Sequence, residues 1–173
     1  DRPQSDNKSG MLPPKLARIL INLAQIPKDA VILDPFCGSG TILTEAAVMG
    51  YGNLIGSDIS AKAIADTEKN LDWVKNTYHI TRITYQNFES DAVKLTNRLK
   101  PASVDAIITE PLLGSPLTGR ENRDKIHAQV NELEQLYIDS FKTFSKILKP
   151  GGVVLFIIPK FLCKDEWVEI DCV

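Results

Sequence analysis

Cysteine, histidine, net charge and long apolar runs are all scarce in this chain of 173 residues, and each scarcity excludes something. Cys37, Cys163 and Cys172 form an odd set with no C-x-x-C spacing, so neither a disulfide framework nor a zinc site is indicated, and a reducing compartment fits. The two histidines, His79 and His127, have no matching partner and read as surface residues on helix faces or ends. The longest apolar run, Val153 to Pro159, falls far short of the roughly 20 residues of a membrane span, and no charged leader with an apolar core precedes it. A soluble, cytoplasmic protein is the expectation. A formal charge of -2 argues against a domain that holds phosphate backbones by bulk positive field, so any grip on nucleic acid is local or supplied elsewhere.

What is present is ordinary globular material: 43% hydrophobic and 24% charged residues, without repeats or low-complexity tracts. Residues 1–10 are polar and turn-rich and read as a flexible segment; residues 11–173 read as one domain. The start at Asp1 without methionine suggests a piece of a longer protein. From Pro13, apolar residues Leu16, Ile19, Leu20 and Leu23 recur at helical spacing. Short apolar runs then alternate with helical stretches. Strands are expected at Ala30 to Phe36, Asn53 to Asp58, Thr81 to Phe88, Val104 to Glu110 and after the KPGG turn at Val153. Between them lie a helix closed by Gly50, a helix capped by Ser60, a short irregular or helical link near Lys94 to Leu99, and a long helix marked by Ile126, Val130, Leu133, Tyr137, Phe141, Phe144 and Leu148. This order predicts an α/β fold with a doubly wound, mostly parallel, Rossmann-like sheet. The ending FLCKDEWVEIDCV reads as a helix start followed by a strand, and the C-terminal strands of the sheet are expected to be cut short.

The stretch DPFCGSGT, Asp34 to Thr41, falls at the carboxyl end of the first strand, where open α/β sheets bind ligands. Gly38 and Gly40 permit positive φ and close approach of a ligand, and exposed amides there could receive a carboxylate or phosphate oxygen. No lysine follows Gly40, which excludes a Walker loop, and Leu43 stands where a dinucleotide fingerprint has its third glycine. Asp58, at the tip of the second strand, is suited to a ribose diol of either NAD or S-adenosylmethionine. Asp91 follows the third strand, where its carboxylate could accept from an adenine amino group while the Ala92 amide reaches a ring nitrogen. Cys37 reads as a small turn residue and not a nucleophile.

The ordered blocks KSGMLPPKLARILINLA, DPFCGSGTILTEAA, GSDIS, SDA and EPLLG resemble the class I S-adenosylmethionine-dependent methyltransferases. Within that class they most resemble RNA guanosine N2-methyltransferases whose catalytic domain follows a THUMP RNA-binding domain, notably the tRNA guanine-10 enzymes. The resemblance implies S-adenosyl-L-methionine as cofactor. Asp34, Pro35, Cys37, Gly38 and Gly40 would surround its methionine part, Asp58 and Ile59 its ribose and adenine, and Asp91 with Ala92 the adenine edge. The SGMLPP segment would cover the carboxylate end. The implied partner is RNA, most specifically tRNA, reached through a separate RNA-binding domain or subunit; neither metal nor membrane is involved.

Amino-directed members of this superfamily usually carry [DNS]-P-P-[YF] after the fourth strand, and here Glu110, Pro111, Leu112 and Leu113 occupy those positions. An acidic oxygen and a backbone carbonyl accept the hydrogens of an exocyclic amine, and the aromatic residue stacks on the base. Glu110 keeps the anion but lengthens its reach by about 1.5 Å, one carbon–carbon bond. Leu112 removes the rigidity of the second proline, and Leu113 replaces a stack worth roughly 1–3 kcal/mol per base. Glu110 and the Pro111 carbonyl are expected to hold the amine, with Leu113 lining the base pocket. Alternatives are a DNA amino-methyltransferase, and a cofactor-binding module with little or no turnover because the motif reads EPLL. Arg120, Arg123 and Lys125 follow on a charged loop that either touches phosphates or is merely solvated.

Overall fold

Adjacent residues on the central strands belong to opposite faces of the sheet, and this places two apolar layers around it. In the computed structural model, which describes residues 3–4, 12–117, 122–163 and 166–172, the element order is α1 (Pro14–Leu23), β1 (Val31–Asp34), α2 (Thr41–Val48), β2 (Asn53–Asp58), α3 (Ala61–Thr77), β3 (Thr84–Glu89), a 3-10 helix (Ala92–Asn97), β4 (Val104–Thr109), α4 (Arg123–Ile147) and β5 (Leu148–Phe156). The strands form a parallel sheet in the order β3-β2-β1-β4-β5. Ile32, Ala106 and Ile108 pack with α1, α2 and α3, while Leu33 and Ile107 pack with Phe144 and Ile147 of α4 and Leu95 of the 3-10 helix. Strand order reverses between β1 and β4, so the crevice at their carboxyl ends is the position for a ligand. The doubly wound fold expected from the sequence is the one observed.

Several boundaries move, each for a local reason. β1 stops at Asp34 because Asp34 Oδ1 accepts the Phe36 amide at 3.2 Å, turning the chain before Pro35 and Phe36 can extend the strand. β3 begins at Thr84, and not at Thr81, because its partner β2 begins at Asn53 and offers no ladder before that pair. Leu148 leaves the helix and opens β5, after which the KPGG stretch bulges out between the Val104–Leu148 and Ala106–Val153 pairs. On α1, Leu16, Ile19 and Leu23 face outward, and Ala17, Leu20, Ile21 and Ala24 are buried instead; these share a cluster with Ala46 and Ala47 of α2, where small residues let the helices approach. The C-terminal stretch forms an antiparallel hairpin of β6 (Phe161–Cys163) and β7 (Glu166–Val168), not a helix and strand; Phe161 and Cys163 alternate inward against α4. Of the N-terminal segment only Pro3 and Gln4 are described, and Gln4 exchanges hydrogen bonds with the buried Asn70 side chain through both its amide and its carbonyl, each 3.0 Å. No helix among the described residues is long and apolar enough to cross a membrane.

The turn between β1 and α2 ends on Gly40, which caps α2 with φ 81°. A Cβ at Gly40 would lie 2.9 Å from the Thr67 side chain of α3. Gly40→Ala is therefore expected to cost about 1–3 kcal/mol, from left-handed strain and the contact together, read as a lowered urea midpoint; an unchanged midpoint would show that the turn is not held in this form.

Candidate functional site

The DPFCGSGT turn is held by hydrogen bonds from its backbone to β2, to α3 and within the turn itself. The Cys37 amide donates to Ser57 O at 3.0 Å, the Gly38 amide to Asp58 Oδ2 at 2.9 Å, and the Gly40 amide to Cys37 O at 2.7 Å. The carbonyls are tied from α3: Thr67 Oγ1 donates to Gly38 O at 2.8 Å and Asn70 Nδ2 to Ser39 O at 2.8 Å. The expectation that turn amides would receive a phosphate or carboxylate oxygen is thus corrected for Cys37, Gly38 and Gly40. Their hydrogens are committed inside the protein.

Around this turn a cleft of about 730 Å³ opens at the carboxyl ends of β1, β2, β3 and β4. Asp34, Pro35, Cys37 and Gly38 form its floor, Asp58 and Ile59 one wall, Asp91 and Ala92 another, and Glu110, Pro111, Leu112 and Leu113 the side facing α4. Gly40 stands behind the surface and shapes the turn. From the SGMLPP segment Leu12 lines the cleft; Ser9, Gly10 and Met11 lie outside the described residues, as does Arg120. Arg123 donates to His127 Nε2 at 3.2 Å and pairs with Glu166 at 3.3 Å, and neither Arg123 nor Lys125 reaches the cleft.

The cleft is acidic. Asp34, Asp58, Asp66, Asp91 and Glu110 line it against Lys62, whose ammonium lies 2.6 Å from Asp66. Asp34 is 2% exposed and accepts Thr109 Oγ1 at 2.7 Å; burial pushes its carboxyl up to about 7 in spite of that bond, and the charges of Asp58 and Glu110 push the same way. Burial also raises the half-buried Glu110. The buried Cys37 thiol is pushed up by desolvation and stays protonated, in keeping with a turn residue. Asp58 Oδ1 accepts the Ser60 amide at 2.9 Å, yet a carboxylate has roughly four lone-pair positions, so both oxygens retain capacity toward a ligand. Asp91 caps the 3-10 helix by accepting the Val93 amide at 3.1 Å. Carboxylates in this number, with the Cys37, Gly38 and Gly40 amides committed within the protein, suit a ligand carrying positive charge and hydroxyls; a pyrophosphate would meet repulsion from these charges.

Sequence reasoning missed Thr67, Asn70, Asp66 and Lys62 on α3, Thr109 on β4, and Tyr137 and Leu136 on α4. Thr67 and Asn70 carried no signal in the chain: their need for partners follows from full burial, which only the fold reveals. Thr109 carried none either, because a threonine in a strand is ordinary.

The chain matches the UPF0020 family, described as an RMKL-like methyltransferase domain, over residues 2–166. It is 32% identical over 161 residues to the tRNA (guanine(10)-N2)-dimethyltransferase of Methanocaldococcus jannaschii, covering 92% of this chain and 41% of that relative, so it spans less than half of the relative's length. Among solved structures, TrmN from Thermus thermophilus superposes with a TM-score of 0.62 at 28% identity, over 86% of this chain and 39% of its own. A methyltransferase from Thiobacillus denitrificans in complex with S-adenosyl-L-homocysteine has a TM-score of 0.59 at 15% identity, over 88% and 51% of the two chains, and shares the fold.

Because folding raises the Asp34 pKa above the usual carboxylate value, the folded protein binds its proton more tightly than the unfolded chain does. The stability this contributes is present below the unfolded pKa of about 3.8 and is lost as pH rises through about 7. Asp34→Asn, which keeps an acceptor for Thr109 without the charge, should gain thermal stability relative to the parent as pH rises from about 5 to about 8. Parallel melting curves for the two proteins across that range would contradict the assignment.

Proposed function

As a member of the RMKL-like methyltransferase domain family (UPF0020), with the class I Rossmann-like methyltransferase fold, this chain is one for which we propose S-adenosylmethionine-dependent methyl transfer to an exocyclic amine of an RNA base, guanosine N2 in tRNA. The observation that carries the reading is the gathering of Gly38, Asp58, Asp91 and Glu110 from four successive strand ends onto one acidic cleft. S-adenosylmethionine fits that donor set, since its ammonium and sulfonium are cations and its ribose diol donates hydrogen bonds. NAD, with a pyrophosphate, does not. When bound, the cofactor supplies a methyl group already activated on sulfur, so neither metal nor covalent intermediate is called for.

In this reading Asp34, Pro35, Cys37 and Gly38 surround the methionine part, with Gly40 setting the shape of the turn. Asp58 accepts from the ribose. Ile59, whose side chain is 74% exposed, presents an apolar surface to the adenine, and Asp91 with Ala92 reads the adenine edge. Glu110 and the Pro111 carbonyl accept hydrogen bonds from the target amine and hold its lone pair toward the methyl group. The raised pKa of Glu110 makes it a better acceptor for the proton that the methylated amine releases. Leu113, half-buried, and Leu112, 59% exposed, form an apolar edge for the base in place of an aromatic stack. The target base must be unpaired or flipped for its amine to reach this depth. The net charge of -2 supports RNA being gripped chiefly through a separate domain or subunit, in the cytoplasm where tRNA is processed.

The M. jannaschii relative's name supports tRNA over DNA as the nucleic acid. S-adenosylhomocysteine should bind in a titration in which NAD does not, and labelled methyl groups should pass to bulk tRNA and not to duplex DNA. Glu110→Ala should lower kcat by about a hundredfold while leaving S-adenosylhomocysteine affinity within about twofold. Transfer by Glu110→Ala at the parental rate would remove Glu110 from the chemistry, and labelling of DNA alone would replace the substrate.

A further inference from the structure

The EPLLG segment is not anchored by β4 alone. Tyr137 of α4 has no exposed surface, and its hydroxyl donates to the Leu112 carbonyl at 2.6 Å. Its ring stands edge-on to Phe156, with centroids 4.8 Å apart at 81°, and Phe156 is the β5 partner of Thr109. Thr109 in turn immediately precedes Glu110 and donates to Asp34. Eight residues earlier on α4, Gln129 Oε1 accepts the Ser115 amide at 3.1 Å. Gly114, at φ 91°, lets the chain pass against Gln129: a Cβ there would fall 2.5 Å from Nε2. The stretch from Leu112 to Ser115 is therefore strapped along about 12 Å of one helix at two points, with Leu136 of the same helix lining the cleft beside it.

The lower strap sits where the sequence gave up rigidity. A proline at position 112 would fix φ by its ring; leucine leaves that torsion free. Burial raises the Tyr137 phenol above its ordinary value, so it remains a donor at all physiological pH. We propose that Tyr137 is a positioning residue for Glu110 and Pro111: by holding the Leu112 carbonyl on the α4 side, it sets the reach of the longer glutamate into the cleft and supplies by hydrogen bond the rigidity that a second proline gives covalently. The chemical meaning of this role rests on the methyl-transfer reading above. Misplacement of the acceptors by about 1 Å is enough to cost on the order of a hundredfold in rate, so a single hydrogen bond at this point has leverage on turnover that it lacks over binding.

Tyr137→Phe removes the hydroxyl and keeps the ring packed against Phe156. In the full-length protein the variant should lower kcat for tRNA methylation about tenfold or more, with the affinity for S-adenosylhomocysteine within about twofold of the parent. Hydrogen exchange should quicken in the peptide covering Glu110 to Leu117 and stay unchanged in β1 and β4. Ser140→Ala is the control: Ser140 is as buried on the same helix, its Oγ has no partner among the described residues, and the substitution should move neither readout. Unaltered kcat in Tyr137→Phe, or exchange that quickens throughout the sheet together with loss of S-adenosylhomocysteine binding, overturns the positioning role. If the parent itself transfers no methyl group to tRNA, the methyl-transfer reading fails separately, and exchange in the 110–117 peptide still decides the strap: local quickening supports it and an unchanged rate overturns it.

Discussion

The hydrogen bond from Thr109 Oγ1 to Asp34 Oδ1, 2.7 Å long and fully buried, joins the two strand ends that carry the glycine turn and the EPLLG segment. β1 and β4 are neighbours in the sheet at the point where strand order reverses. Asp34 opens the glycine turn and Thr109 precedes EPLLG, so one contact sets the distance between the floor of the cleft and the proposed acceptors of the amine. The cost of burying a carboxyl here is visible in its raised pKa, and the same burial places a group that can become negative next to where a cationic ligand would sit. Burial of the same carboxyl thus fixes the frame and tunes the field.

Charge, more than shape, distinguishes this glycine turn from the others that occupy the same position in open α/β sheets. A phosphate-binding turn directs unbonded amides outward. Here the amides of Cys37, Gly38 and Gly40 are directed inward to Ser57, Asp58 and the turn itself, and the charged groups lining the cleft are mostly carboxylates. Asp58 takes part twice, closing the turn through Gly38 and capping the next helix approach through Ser60, while keeping lone pairs for a ligand. That arrangement supports the proposed sulfonium nucleoside over a dinucleotide before any relative is considered, and the family membership agrees with it.

Much of this could be read in the residues. The alternation of apolar runs placed the strands, with Asn53 to Asp58 correct to the residue, and the glycine turn with its acidic followers named residues at the strand ends that line the cleft. What could not be read depends on contacts made at long range. The outward face of α1 was misjudged because Leu16, Ile19 and Leu23 satisfy helical periodicity as well as Ala17, Leu20 and Ile21 do, and only the closeness of α2 selects the smaller set. The C-terminal hairpin followed from two inward residues, Phe161 and Cys163, whose period of two was too short to recognise against a helical start. Thr109, Thr67 and Tyr137 act through single hydrogen bonds to backbone or to a buried acid, and nothing in their neighbourhood in the chain announces such partners.

The four strand ends form one site only if a single ligand touches all of them in a fixed order. A crystal structure with S-adenosylhomocysteine bound tests this most directly. The ribose hydroxyls should lie at Asp58, the adenine at Asp91 and Ala92, and the thioether sulfur should turn toward Glu110 and Pro111. A ligand bound in the reverse sense, or seated away from the Gly38 turn, would contradict it.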